Sequence, residues 1–172
     1  MIPKIQTVLY ATDLSKNSAY AFRFAVNTVQ KHDAKIHILY VVEAISPQME
    51  ERLLSHIEKD KLTELRKKAE EDFCLRIEDR LRQFAAKELK DDQETLKRVV
   101  GIHIVYGDPA TVILDKTDEL GCDIIIMGTH GKGFIQHTFL GSVSEKVLRR
   151  IRKPVFIIPL PTEDTDITLG PI

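Results

Sequence analysis

Between residues 128 and 145 the chain reads Gly128-Thr129-His130-Gly131-Lys132-Gly133 and, further on, Gly141-Ser142-Val143-Ser144-Glu145. Three glycines within six residues let a backbone approach a ligand closely and adopt positive φ. The segment returns to a helix start at Ser142. Such a start carries unpaired N–H groups and a partial positive charge, which suits phosphate oxygens. The hydroxyls of Ser142 and Ser144 are further donors, and Lys132 is a cation within the loop. His130 is placed to touch phosphate or ribose, and equally to be a solvated loop histidine. A structural use competes with all of this. Ser142-x-x-Glu145 matches a capping box, which accounts for both residues without a ligand. On these residues alone a phosphate site and a structural loop both stand.

Several other chemistries are excluded. No GxxxxGK[ST] occurs, so this is not a Walker A loop, and no GxGxxG follows the first strand, as a dinucleotide-binding turn requires. The six histidines (His32, His37, His56, His103, His130 and His137) form no HExxH and no Cys/His cluster, so no metal ligands are assigned. His37 and His103 fall in strands and are read as structural. No G-x-S-x-G elbow exists, and Ser142 has no evident base and acid partners. No catalytic residue is assigned.

The elements that must position the loop follow from hydrophobic periodicity. Residues 7–11 (TVLYA) form an apolar run that fits a strand buried on both faces. Ala19, Phe22, Ala25, Val26 and Val29 make a helical stripe over 16–29, with Ser15 as its N-cap. Residues 35–42 (KIHILYVV) predict a second strand. Residues 48–98 are highly charged and carry Leu62, Leu65, Ala69, Phe73, Ile77, Leu81 and Phe84 at helical spacing. They predict a long amphipathic helix over one sheet face, with a partner-binding coiled coil as the alternative. Residues 101–105 predict a third strand. Asp108-Pro109 then opens a helix to about Leu120, where Gly121 ends it. Residues 123–127 and 154–158 predict the last two strands, with a helix over 143–151 between them.

The order β-α-β-α-β-α-β-α-β predicts an α/β protein: one domain with an open five-stranded parallel sheet and helices on both faces, Rossmann-like. Ligands of such sheets sit beyond the carboxyl ends of strands where strand order reverses, here after Ala11, Val42 and Met127. The domain spans 1–160, and 161–172 reads as a flexible tail. With 172 residues the chain suits one such domain, and a net charge of -1 selects neither nucleic acid nor an anionic membrane as partner. No run reaches the ~20 apolar residues of a membrane span, and no signal peptide is expected. Two cysteines, Cys74 and Cys122, make no disulfide framework, and a reduced, cytoplasmic setting is expected.

The spacing G-x2-G-x9-G-S, set in DIIIMGTHG…LGSVSEKV…KPVFIIP, resembles the ATP-binding branch of the universal stress protein family. YATDLS at the first strand and YVVE at the end of the second extend the likeness over residues 7–159. The resemblance implies ATP as ligand, with Mg²⁺ bridging phosphate oxygens. It implies that Asp13, with Ala11 before it, lies near ribose and adenine, and that the Val41 backbone meets the adenine edge. Met127, Gly128, His130, Gly131, Lys132 and Gly133 would wrap ribose and phosphates. Gly141, Ser142, Val143 and Ser144 would hold the phosphates at the helix start. Asp13 also has a structural use, as a cap of the following helix, and Val41 is first a buried strand residue. Many members carry proline where this chain has Ala11. The family also implies a homodimer through the fifth strand, whose residues 155–158 are apolar on both sides and lie at a sheet edge. The expected function is a nucleotide-dependent regulatory module of stress response, with slow or no hydrolysis. A slow nucleotide hydrolase or adenylyl-transferring enzyme, and an interaction module without nucleotide, are the alternatives.

Overall fold

A computed structural model describes residues 2–43, 59–129 and 140–159. The expectations for His130, Gly131, Lys132 and Gly133, for residues 48–58 and for the tail lie outside the described residues. Five strands form one parallel sheet: β1 (Thr7–Thr12), β2 (Lys35–Glu43), β3 (Val99–Gly107), β4 (Ile124–Gly128) and β5 (Val155–Ile158). The described helices are α1 (Lys16–His32), α2 (Lys59–Glu88), α3 (Gln93–Leu96), α4 (Pro109–Glu119) and α5 (Ser142–Arg150). The strand order is β3-β2-β1-β4-β5, so the chain runs outward from β1 on one side and then starts again on the other. The reversal lies between β1 and β4, as the expected α/β architecture requires.

Period-two alternation sends neighbouring residues of each strand to opposite layers. Val8, Tyr10, Ile36, Ile38, Ile124 and Ile126 pack with α1 and the C-terminal half of α2. Leu9, Ala11, Leu39, Ile125 and Met127 pack with Ala110 and Ile113 of α4 and Val147 of α5. Both faces are therefore covered, which is why these strands read as continuous apolar runs.

Helix starts follow local chemistry. The Ser15 side chain accepts from Ser18 N–H at 3.3 Å, and the Asp108 carboxylate accepts from Thr111 N–H at 3.0 Å, so both expected caps are present. The charged region departs from expectation in two ways. The helix ends at Glu88, and a separate turn, α3, begins under its own cap, Asp92, which accepts from Thr95 N–H at 2.9 Å. The apolar stripe is also only partly used: Ile77, Leu81 and Phe84 are buried, whereas Leu65 is 67% exposed. Thirty residues of helix span about 45 Å. A nine-residue strand spans only about 30 Å, so the first turns of α2 run past the strand it packs on.

The third strand is longer than expected. It gains Val99 and Val100 at one end and Tyr106 and Gly107 at the other, with a register shift opposite Ile36/His37 that leaves Val100 between pairs. Asp123, expected in the fourth strand, precedes it. Its Oδ2 accepts from the N–H groups of Gln6 and Thr7 at 2.8 and 2.9 Å, closing the amino-terminal end of the sheet.

Candidate functional site

At the carboxyl ends of β1, β2 and β4 the sheet opens into a cleft of about 440 Å³. Its lining includes Ala11, Asp13, Val41, Met127, Gly128, Gly141, Ser142, Val143 and Ser144, which are all the described residues among the sequence candidates. They come from three strand ends and one helix start, and strand order alone brings them together. The sequence reading missed Thr12, Ser18, Leu39, Tyr40 and Glu43, and Pro109 and Ile113 of α4. The signal for these was available. Tyr40 and Glu43 flank Val41 at the end of a strand, and Asp108-Pro109 follows the third strand directly. Val41, expected to be buried, is only partly so and belongs to the cleft wall.

The segment after β1 is strained and polar. Leu14 is buried yet has φ 66, a conformation that costs about 1–3 kcal/mol for a residue with a side chain. The turn that holds it is over-determined. Leu14 N–H donates to Thr12 Oγ1 at 3.0 Å, Thr12 Oγ1 bonds Ser18 Oγ at 2.9 Å, and Tyr10 OH donates to the Ser18 carbonyl at 2.5 Å. Burial pushes the Tyr10 phenol well above its ordinary range, so it stays a donor. Asp13 Oδ1 accepts from Ser15 N–H at 3.1 Å and from Ser15 Oγ at 2.6 Å. Asp13 Oδ2 is buried and has no hydrogen-bond partner among the described residues. A buried carboxylate oxygen left unpaired costs about 1–3 kcal/mol or more, and this one belongs to a residue of the cleft wall.

The opposite wall is the glycine-rich segment. Thr129 N–H donates to the Ile158 carbonyl at 3.0 Å, and Gly141 N–H donates to the Thr129 carbonyl at 2.7 Å. The backbone therefore leaves and re-enters the fold at one place. Gly128 stands against α1: a Cβ there would lie 2.8 Å from Asn17 Nδ2. The expected capping box is absent. The N-cap of α5 is Gly141, with no side-chain cap bond, Ser142 is already in the first helical turn, and Glu145 pairs with Arg149 at 2.5 Å. The purely structural account of Ser142 is thereby removed, and its exposed side chain lines the cleft. Ser144 is different. It is buried and its hydroxyl donates to the Gly128 carbonyl at 2.9 Å, so what it offers a ligand is its backbone N–H.

The two walls divide the cleft chemically. Leu39, Val41, Ile113, Met127 and Val143 are apolar, whereas Asp13 and the start of α5 are polar. Apolar side chains, a carboxylate acceptor and a helix N-terminus around one cleft suit a ligand with an apolar ring, hydroxyl donors and an anionic end.

The comparisons with known proteins agree with this architecture. A model of the universal stress protein family matches residues 4–159. Universal stress protein MJ0577 of Methanocaldococcus jannaschii is 30% identical over 161 residues, covering 88% of this chain and 93% of that protein. Its solved structure aligns with a TM-score of 0.59 at 25% identity, over 94% of this chain and all of the other. The structure of UspA from Lactobacillus plantarum aligns with a TM-score of 0.69 at 23% identity, over 91% of this chain and 99% of that one. A universal stress protein solved in complex with cAMP shares the fold, with a TM-score of 0.51 at 20% identity over 91% of this chain and 98% of the other.

Proposed function

This chain belongs to the universal stress protein family, and we propose that it binds ATP in the cleft between β1 and β4 as a nucleotide-dependent regulatory module. The observation that carries the proposal is the buried Asp13 Oδ2, unpartnered among the described residues, on a residue that lines the same cleft as the start of α5, which has no side-chain cap. A ribose has hydroxyl donors for that oxygen. The N–H groups of Ser142, Val143 and Ser144, unpaired within their own helix, suit phosphate oxygens. Leu39, Val41 and Met127 supply the apolar surface an adenine ring needs. Mg²⁺ fits the same donor set, with Asp13 and the ligand's phosphates as its oxygen partners. The protein's own groups bind and orient, and the hydroxyl and N–H donors at the phosphate end make poor bases. Slow or no hydrolysis is therefore part of the proposal, and ATP would act by favouring one loop or subunit arrangement over another.

Two further parts of the reading rest on composition and edge chemistry. The free thiols Cys74 and Cys122 fit a reduced, cytoplasmic setting. β5 is a sheet edge with Phe156 44% exposed, which suits pairing with a second copy. Phe156→Glu is expected to shift a dimer to monomer in sedimentation, and a wild-type monomer at all concentrations would remove this part.

Calorimetric titration with ATP, AMP and cAMP, each with and without Mg²⁺, tests the central reading. Saturable ATP binding at one site per chain supports it. Tighter cAMP binding would keep the cleft and change the ligand. No binding by any of them would favour the interaction-module alternative.

A further inference from the structure

A second group of side chains with ligand chemistry lies outside the cleft lining, near the start of β2 and the middle of β3. His37 Nδ1 and His103 Nε2 stand 3.0 Å apart. The strand ladder fixes them there. His37 pairs with Gly101 and His103 with Leu39, so the rings rise from adjacent strands on one sheet face. Gly101 makes the meeting possible, since a Cβ at that position would lie 2.8 Å from both ring nitrogens. Both histidines are half-buried, so water and small ions reach them.

Burial first, and then the neighbouring ring and Lys35 at His37 and Lys116 at His103, hold both imidazoles below their ordinary range, with Glu119 opposing at His103. His37 faces His103 and Lys35, and His103 faces Lys116 and Glu119 of α4. The neutral ring is the form that ligates metals. Glu119 pairs with Lys116 at 2.7 Å and brings one carboxylate toward the pair.

We propose that His37 and His103 form a two-imidazole site for a late first-row divalent ion, copper(II) or nickel(II), with water completing its shell. Metal–nitrogen bonds of about 2.1 Å to atoms 3.0 Å apart meet at an angle of about 90°. That is the cis angle of a tetragonal or octahedral ion and too narrow for tetrahedral zinc. Among the described residues no group of three His, Cys, Asp or Glu forms a cage, so the site is an open chelate. In the metal-free pair one ring donates a proton to the other across the gap. On binding, that ring carries its proton on its far nitrogen instead, leaving both facing nitrogens as ligands with no net proton release. The pair, read from sequence as structural, thus acquires a chemical use independent of the nucleotide proposal.

The test is titration of the full chain with copper(II), followed by calorimetry and the visible ligand-field band, on wild type, His37→Gln, His103→Gln and the control His32→Gln. One site with nitrogen-ligand absorption is expected in wild type and the control, and its loss in either strand variant. Equal isotherms in all four proteins would overturn the proposal. Should a strand variant fail to fold by circular dichroism, paramagnetic broadening of histidine resonances in wild-type protein decides instead. Selective broadening of His37 and His103 supports the site, and uniform broadening of all histidines rejects it.

Discussion

Two aspartates mark opposite ends of this sheet. At the amino-terminal end, one oxygen of Asp123 accepts from two backbone N–H groups and ties the entering chain to β4. At the carboxyl end, Asp13 spends one oxygen on Ser15 and keeps the other buried without a partner among the described residues. The strained Leu14 lies beside Asp13 and the uncapped helix start lies across the cleft, whereas the Asp123 end is closed by a further bond from Lys153 Nζ to the Cys122 carbonyl at 2.6 Å. Satisfied groups contribute stability, and unsatisfied ones buried at a cleft mark where a ligand completes the structure. On the function proposed above, the two ends of one sheet divide stability from binding.

Substitutions can break that comparison. The largest effect on stability is expected from Asp123→Ala, which leaves the N–H groups of Gln6 and Thr7 without their acceptor. It should cost about 1–3 kcal/mol in urea denaturation and leave ATP affinity unchanged. Asp13→Asn should do the reverse. It retains an acceptor for Ser15, relieves the buried charge, and weakens ATP binding by about 1.5–3 kcal/mol, roughly ten- to a hundred-fold. An unchanged affinity would leave Asp13 with a structural role alone, as the acceptor that holds the cap residue Ser15.

A smaller effect concerns pH. His37 and His103 have depressed pKa values, so the unfolded chain takes up protons first as pH falls. The stability they contribute is complete above about pH 6.5 and is lost as pH falls from there through their folded values. Melting in the presence of a chelator should therefore decline more steeply below pH 6.5 in wild type than in His103→Gln. Smallest of all, Ser142→Ala should change stability by less than about 0.5 kcal/mol, because no cap is lost. A loss near 1 kcal/mol would restore the capping account.

How much of this was legible in sequence depended on the range of the interaction that decides each feature. Ser15 and Asp108 cap helices through bonds to N–H groups three residues on, so sequence spacing revealed them. The five strands and their order of appearance followed from apolar runs. The start of α5 was misjudged by one residue, because Gly141 becomes the cap through a bond to Thr129 across the loop. The stripe through Leu65 was correct as periodicity and wrong as burial, since periodicity does not say whether a sheet lies beneath. The meeting of His37 and His103, 66 residues apart, depends on strand register and on a bulge next to it, neither visible in composition. At the cleft, the glycine spacing pointed to β4 and α5, and the strand ends beside Val41 and Asp108 pointed to Tyr40 and Pro109, while Ile113, a turn into α4, became visible only once that helix was placed.

The most direct measurement is the ATP dependence of thermal unfolding, with Mg²⁺, for wild type, Asp13→Asn and Asp123→Ala side by side. A ligand at 100 times its dissociation constant adds about 2.7 kcal/mol of stability to a protein that binds it only when folded. The account predicts a full ATP-induced rise in wild type and Asp123→Ala, from a lowered baseline in the latter, and a much reduced rise in Asp13→Asn. Equal rises in all three proteins, or none in wild type, would contradict it.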